Sequence, residues 1–502
     1  MRKAIQICVA FFCALPFFGE AQTKIRILSS EITDIKKKDD GSRVYYLRGN
    51  VGLQQDEAKM YCDSAILIQP QNTFEAFSNV RIVQADTTMV TGEELFYEGD
   101  KRLFTISKNV VLTTPSSTLR TTSLRFDRNT RTGYYTTRST LYRKGLELTS
   151  DIGSYNTQSQ TVRLRGEVEA LDPDYTLKTD TLLYYPKANS YRFLGPSTLL
   201  RDSSLTTCKT GRYNADEGEL NLGKGASITS PKSFIKADSI SYNLKLDKGS
   251  LYHKALVSDS TKGFVLEADF IKYIKEPNYV DAHYPVFYRQ SLDADTLFAK
   301  GDTLTIREDT NGARVVNLLE TTSFYSEKFQ GQSSFFSYHE AFETLSLFPN
   351  PLLWGDKSQF SCDSALLLLQ NEELDSLYLH QNVKIVSESK DSAYFDAASG
   401  KFLYGSFESN SLSRIKLEGN AQSIMHNFSS GPTPDGINKT ACSWIETNFE
   451  AGEVKTVRAS KSVEASYIPW NSGGQAEATL PGCLPEFDQR TKPEDVKLRP
   501  PK

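Results

Sequence analysis

Residues 60–67 read Met60-Tyr61-Cys62-Asp63-Ser64-Ala65-Ile66-Leu67, residues 177–184 read Leu177-Lys178-Thr179-Asp180-Thr181-Leu182-Leu183-Tyr184, and residues 235–242 read Ile235-Lys236-Ala237-Asp238-Ser239-Ile240-Ser241-Tyr242. Each octet centres on an Asp followed by Ser or Thr. Apolar or small residues stand three and one before the Asp, and apolar residues two and four after it. The same pattern, sometimes without the Asp, recurs at Glu93, Thr122, Asp151, Lys209, Asp269, Asp302, Asp363 and Asp391. From 63 to 238 the anchors stand 29 or 30 residues apart; the intervals then widen to 31 and 33, and 302 to 363 spans 61. A fixed period of this length marks a repeat protein.

A second landmark lies about 13 residues before each anchor, as in Gly49-Asn50-Val51, Ser78-Asn79-Val80, Lys108-Asn109-Val110, Gly166-Glu167-Val168, Gln381-Asn382-Val383 and Gly419-Asn420-Ala421. Around it, polar and apolar residues alternate. Val162, Leu164, Gly166, Val168 and Ala170 share one face, and Arg163, Arg165, Glu167 and Glu169 the other. That is the period of two of a half-buried strand. Turn residues such as Gln69-Pro70-Gln71-Asn72 and Asp172-Pro173-Asp174 separate the strands. Each unit therefore reads as two strands and two turns, with no amphipathic helix between them.

The apolar parity slips by one residue at each anchor, which a straight strand does not allow. A β-bulge or corner at Asp63, Asp151, Asp180, Asp238, Asp269, Asp302, Asp363 and Asp391 accounts for the slip. There the carboxylate is expected to accept backbone N–H groups that the distortion leaves unpaired. A calcium ladder of these aspartates is the functional alternative. It loses because Thr122 and Lys209 replace the Asp without disturbing the period. Cys62, Cys208 and Cys362 all stand one residue before an anchor and are expected to be buried free thiols; Cys442 is a further candidate for the same repeat position.

The composition, 39% hydrophobic and 11% aromatic, suits a folded chain, and a net charge of −4 gives no footprint for nucleic acid. Arg2 and Lys3, the apolar run from Ala4 to Phe18 and the small residues Gly19 and Ala21 predict a cleaved signal peptide over residues 1–21. The run is too short to span, since about 20 apolar residues are needed. No phosphate loop, His-Glu-x-x-His, nucleophile elbow or Cys-x-x-Cys occurs. The five histidines are isolated along the chain. No catalytic or metal centre and no cofactor is expected, so the chain does not read as an enzyme.

The signal segment, the Gly-Asn-Val steps and the Asp-Ser/Thr strands together resemble the OstA/LptA-like lipopolysaccharide-transport family. The resemblance covers residues 44 to about 275 and again about 360 to 425. It implies a periplasmic protein, free or associated with the outer membrane, that binds the lipid A part of lipopolysaccharide and joins other transport components edge to edge, with homo-oligomers open to it. The implied fold is all-β, an elongated antiparallel β-jellyroll of two-strand repeats about 29 residues long. The layout reads as signal peptide 1–21, OstA-like array 22–275, irregular β repeats or an inter-domain segment 276–359, a second OstA-like segment 360–429, and a Pro-rich, partly ordered tail 430–502.

Inward apolar residues of such a stack would line a groove, and each acyl methylene buried there is worth about 0.8 kcal/mol. The candidates are Val162, Leu164, Val168, Leu182, Tyr184, Ile240, Tyr242, Ile271 and Tyr273. Three rivals share the alternation: an outer-membrane β-barrel, a ligand-free scaffold or adhesin, and a β-helical polysaccharide enzyme. The recurring parity slip and the crowded charges on the polar face disfavour the barrel, and the long period disfavours the β-helix.

Overall fold

The structure, a computed structural model, describes residues 24–497 apart from 85–87, 275–277, 293–294, 356, 371–372, 390–393, 409–410, 430 and 451–452. The expected signal segment and Asp391 lie outside the described residues. The chain divides into two units, residues 1–187 and 188–502. Both are built from antiparallel strands, and sequence neighbours pair along most of their length.

The pairing of Arg43–Gln55 with Ala58–Ile68 shows how one strand is made. Arg48 stands opposite Ser64 and Val51 opposite Cys62, so Gly49 and Asn50 face the single residue Asp63. Two residues against one is a β-bulge. Gly49 (φ 74°) and Asn50 (φ 45°) are both left-handed. Gly has no Cβ to clash there, and Asn is one of the few side chains that tolerates the conformation. The pair recurs as Ser78-Asn79, Lys108-Asn109, Gly166-Glu167, His253-Lys254, Glu320-Thr321, Gln381-Asn382 and Gly419-Asn420, every member with positive φ.

Each long strand thus consists of two arms meeting at a corner. Inward residues on Ala58–Ile68 are Ala58, Met60 and Cys62 on one arm and Ala65 and Leu67 on the other, all buried. The apolar interior lies between the arms. Below, the arm holding residues 43–48 and its paired neighbours is the lower arm, and that holding 51–55 the upper arm.

The corners differ from expectation in one respect. The parity slip falls at the Asp, but the extra residue lies in the Gly-Asn-Val step of the adjacent strand, because that step carries the residues that accept positive φ. The anchor carboxylates, expected to accept backbone N–H groups, meet side chains instead. Asp63 Oδ2 accepts from Asn79 Nδ2 at 2.8 Å, Glu93 Oε1 from Asn109 Nδ2 at 2.7 Å, and Asp363 from Asn382 Nδ2 at 2.9 and 3.0 Å. Asp302 accepts from Thr321 Oγ1 at 3.0 Å, and Asp180 from Thr181 Oγ1 at 3.0 Å. Asp151 pairs with Arg138 at 3.1 Å and Asp269 with His253 at 3.2 Å, while Asp238 is exposed at its corner. Apart from the local Asp180–Thr181 bond, these contacts tie one corner to the next along the outside.

Residues 279–348, where the repeat signal fades, form five strands from Tyr279–Ser291 to Thr344–Phe348. In the first of them Tyr284-Pro285, joined by a cis peptide, stands at the corner instead of Gly-Asn. The Pro-rich end contains strands Gly436–Glu450, Glu453–Ser460 and Glu464–Pro469.

Residues 470–497 then run as a strap across the outward face of the upper arm. Leu480 and Cys483 pack with Val386, Ala397, Ile424 and Ile437. Val386, Ala397 and Ile424 are consecutive register partners, opposite in parity to inward Ile385. Phe487 stacks on Phe395 at 5.7 Å, Arg490 Nε donates to Gln330 at 2.7 Å, and Lys497 lies 5.7 Å from the centre of the Phe298 ring.

Candidate lipid groove

The repeat supplies its own control for asking where the interior is open. The inward residue three before the anchor is buried in nine of the described copies, among them Met60 at 2% exposure, Val90 at 3%, Leu119 at 1%, Leu148 at 0%, Leu177 at 2% and Leu266 at 0%. Ile235, at the same position, is half-buried. The inward residue four after the anchor is likewise buried at Leu67, Tyr97, Phe126, Tyr155, Tyr184 and Tyr213. At Tyr242 and Tyr273 it is half-buried.

These residues lie side by side. On the upper arm Ile228 pairs with Ile235 and Ile235 with Val257; all three are half-buried. On the lower arm Tyr242 pairs with Gly249 and Gly249 with Tyr273. A Cβ on Gly249 would lie 2.4 Å from Cδ2 of Tyr242, so the glycine lets this ring lie down against the sheet. The Tyr242 hydroxyl donates to Asp247 Oδ1, which fixes the ring there. Burial, with the carboxylate second, pushes the Tyr242 phenol well above its usual range.

Nearer the corner the upper-arm row is Ala226, Ala237, Ala255 and Ala268, all buried and all small. In the first unit Val51, Cys62, Val80 and Val110 hold equivalent inward places beside the corner. With short side chains beside the corner and half-buried aliphatic and aromatic side chains at the free ends, the apolar interior over residues 226–273 is less covered than in the first unit, and this is the candidate cleft between the arms.

Elsewhere polar side chains join the free ends of the two arms. In the first unit Arg128 Nη1 donates to Tyr97 Oη at 2.7 Å and to Gln55 Oε1 at 3.2 Å, and Tyr97 also donates to Gln55. Ser117 and Tyr155 share a hydrogen bond at 2.9 Å. In the second unit Arg314 Nη2 donates to Gln290 Oε1 at 3.1 Å, and Tyr288 donates to the same oxygen at 2.7 Å. Gln55 and Gln290 come from upper arms, Arg128 and Arg314 from lower-arm ends, so both clasps bridge the mouth.

The candidate residues therefore separate. Val162, Leu164, Val168, Leu182 and Tyr184 are all at most 3% exposed and form packed core in the first unit. Ile240 and Ile271, at 2% and 0%, lie on the floor of the cleft. Tyr242 and Tyr273 line its rim. Ile228, Ile235 and Val257 were absent from the sequence candidates; the alternation marks them as inward, but it does not distinguish open from closed.

Cys62, Cys208 and Cys362, with Cys442 and Cys483, are buried free thiols. Burial pushes Cys62 up to about 12, Cys208 to about 11 and Cys362 to about 12. Among the described residues no group of three or more His, Cys, Asp or Glu is placed to hold a metal ion, and no helix is long and apolar enough to cross a membrane.

Antiparallel strands folded along a line of corners, with an apolar interior between the arms, define an all-β jellyroll. Residues 22–180 match the family model described as OstA-like protein, so this segment of the chain is similar to that family. No curated protein matches the chain.

Proposed function

We propose that the protein binds lipid in the periplasm and carries or bridges lipopolysaccharide from the inner to the outer membrane, with acyl chains held between the two arms. The observation that carries this reading is the cleft rimmed by Ile228, Ile235, Val257, Tyr242 and Tyr273, whose repeat-equivalents in the first unit are buried. The OstA-like match of residues 22–180 supports it. Burying ten methylenes there would contribute about 8 kcal/mol before the cost of ordering the chain.

Export by a cleaved signal peptide belongs to the same reading, as does joining to other transport components. Strands Arg26–Ser29 and Ile32–Lys37 pair only with Arg43–Gln55 among the described residues, and Ile32 and Ile35 on them are 53% and 58% exposed. An exposed edge of this kind accepts another strand.

A photo-crosslinking residue at Ile235 or Val257 should capture lipopolysaccharide in living cells. One at Arg163 or Lys178, on the charged outward face, should not. Mass spectrometry of lipid extracted from the purified protein gives the independent check. Adducts at the outward sites alone, with no copurifying lipid, would replace this reading with that of a ligand-free scaffold.

A further inference from the structure

The geometry points to Arg314 as an anion site that holds the phosphate head group of an amphiphile whose chain lies in the cleft. This assignment rests on the lipid-binding reading and adds the chemistry of the head group.

The two clasps provide the contrast. Arg128 uses both terminal nitrogens: Nη1 bonds Tyr97 and Gln55, and Nη2 donates to the Gln55 carbonyl at 3.3 Å and lies 3.6 Å from Asp56. Arg314 uses one. Its Nη2 reaches Gln290 at 3.1 Å and lies 3.5 Å from Glu340, whereas Nη1 is out of contact with solvent and has no partner; Nε is likewise unpartnered, as it is in Arg128. The Arg314 side chain is only 6% exposed. A guanidinium is a planar fork matched to two oxygens of one phosphate, and a buried donor left unused is costly.

The position suits an amphiphile. Val257, at the rim, pairs with Leu266, and Leu266 pairs with Tyr288 of the clasp. Two strand spacings, about 10 Å, thus separate rim and clasp. Phe264, in register with Gln290, lies under the Arg314 guanidinium at 5.9 Å, so an aromatic ring borders the charge.

The test uses the full chain and displacement of an uncharged fluorescent apolar probe by dodecyl phosphate, by monolauroylglycerol and by inorganic phosphate alone. Arg314→Gln should weaken dodecyl phosphate about tenfold and leave monolauroylglycerol unchanged, which also shows that the variant is folded. Arg314→Lys should recover most of the loss. Glu340→Gln, at a half-exposed position, should tighten dodecyl phosphate about threefold by removing the competing carboxylate. Inorganic phosphate should displace nothing from the wild type.

Equal weakening of the charged and neutral amphiphiles, or no change in either, would overturn the anion site and leave the lipid reading standing. Phosphate bound at Arg314 with no preference for the dodecyl chain would overturn the amphiphile assignment in favour of a free anion. Failure of both amphiphiles to bind the wild type would remove the lipid reading and this site with it.

Discussion

Asn79 holds a left-handed backbone at a corner and donates its side-chain amide to Asp63. Replacing it separates the two roles. Asn79→Gly keeps the backbone and should cost only the exposed hydrogen bond, about 0.5 kcal/mol. Asn79→Val adds a β-branched clash at positive φ and should cost a further 1–2 kcal/mol or so, read from urea unfolding midpoints. Equal losses would place the energy in the amide and not in the backbone. The thiols give a second prediction at this scale. Cys62 and Cys362 are held protonated by burial, with folded values near 12 against an ordinary 9. A value raised on folding stabilises the native state below pH 9, and this contribution is lost as pH rises from 9 towards 12. The unfolding midpoint should fall across that window. In a Cys62→Ala, Cys362→Ala variant the fall should be smaller, and an unchanged pH dependence would contradict the burial.

A strand in this array is held by its inward residues, and its outward charges contribute little. Lys178 and Glu169 pair at 3.1 Å, but Lys178 is 65% exposed, so the pair is worth at most about 1 kcal/mol. Arg163→Ala and Glu169→Ala should each change stability by under about 0.5 kcal/mol. Leu164→Asp puts a charge where exposure is 1%, and should cost about 3 kcal/mol or more. Similar losses in the two sets would invert the facing of the strand. This facing was legible in the sequence, because Val162, Leu164, Val168 and Ala170 share a parity that burial enforces. The parity slip was legible too, although the residue responsible was not: Asp63 marks the corner by its neighbours' facing, whereas Gly49 and Asn50 make it with their backbone. Openness was not legible at all. Ile235 and Leu177 hold the same repeat position and have similar chemistry, and what differs is the packing contributed across the interior by the opposite arm. A pattern with a period of two within one strand contains no such information. Nor did the thinning of anchors after 275 mean that strands stop. Tyr284-Pro285 fills a corner by other means, and the long strands continue.

At the scale of a unit, the second one carries an external layer that the first lacks among its described residues. The strap of residues 470–497 covers apolar residues on the outward face, and it is tied there through side chains. Gln359 Nε2 donates to the Leu484 carbonyl at 3.0 Å, and Gln332 Nε2 to the Gln489 carbonyl at 2.8 Å. Such attachments open more readily than a strand bonded along its length. Cys483 reports on them, because its thiol is buried under the strap at 7% exposure. Phe487→Ala removes the stack on Phe395, and Cys483 should then react with a thiol reagent at least about tenfold faster, the factor given by 1.4 kcal/mol. Cys62, in the first unit, should keep its rate. Acceleration of both thiols would mean general loosening and not local release of the strap.

The corner also restricts how such a chain can change length. Strands with an extra left-handed pair alternate with strands that turn on a single anchor, as Arg43–Gln55, Ala58–Ile68 and Thr73–Gln84 show in succession. Deleting a single-anchor strand would set two bulged strands together, deleting a bulged strand would set two anchors together, and either would reverse the direction of every strand that follows. Deleting a hairpin restores both. Descent by duplication or loss should therefore proceed in whole hairpins, and surviving relatives of different length should differ by even numbers of strands.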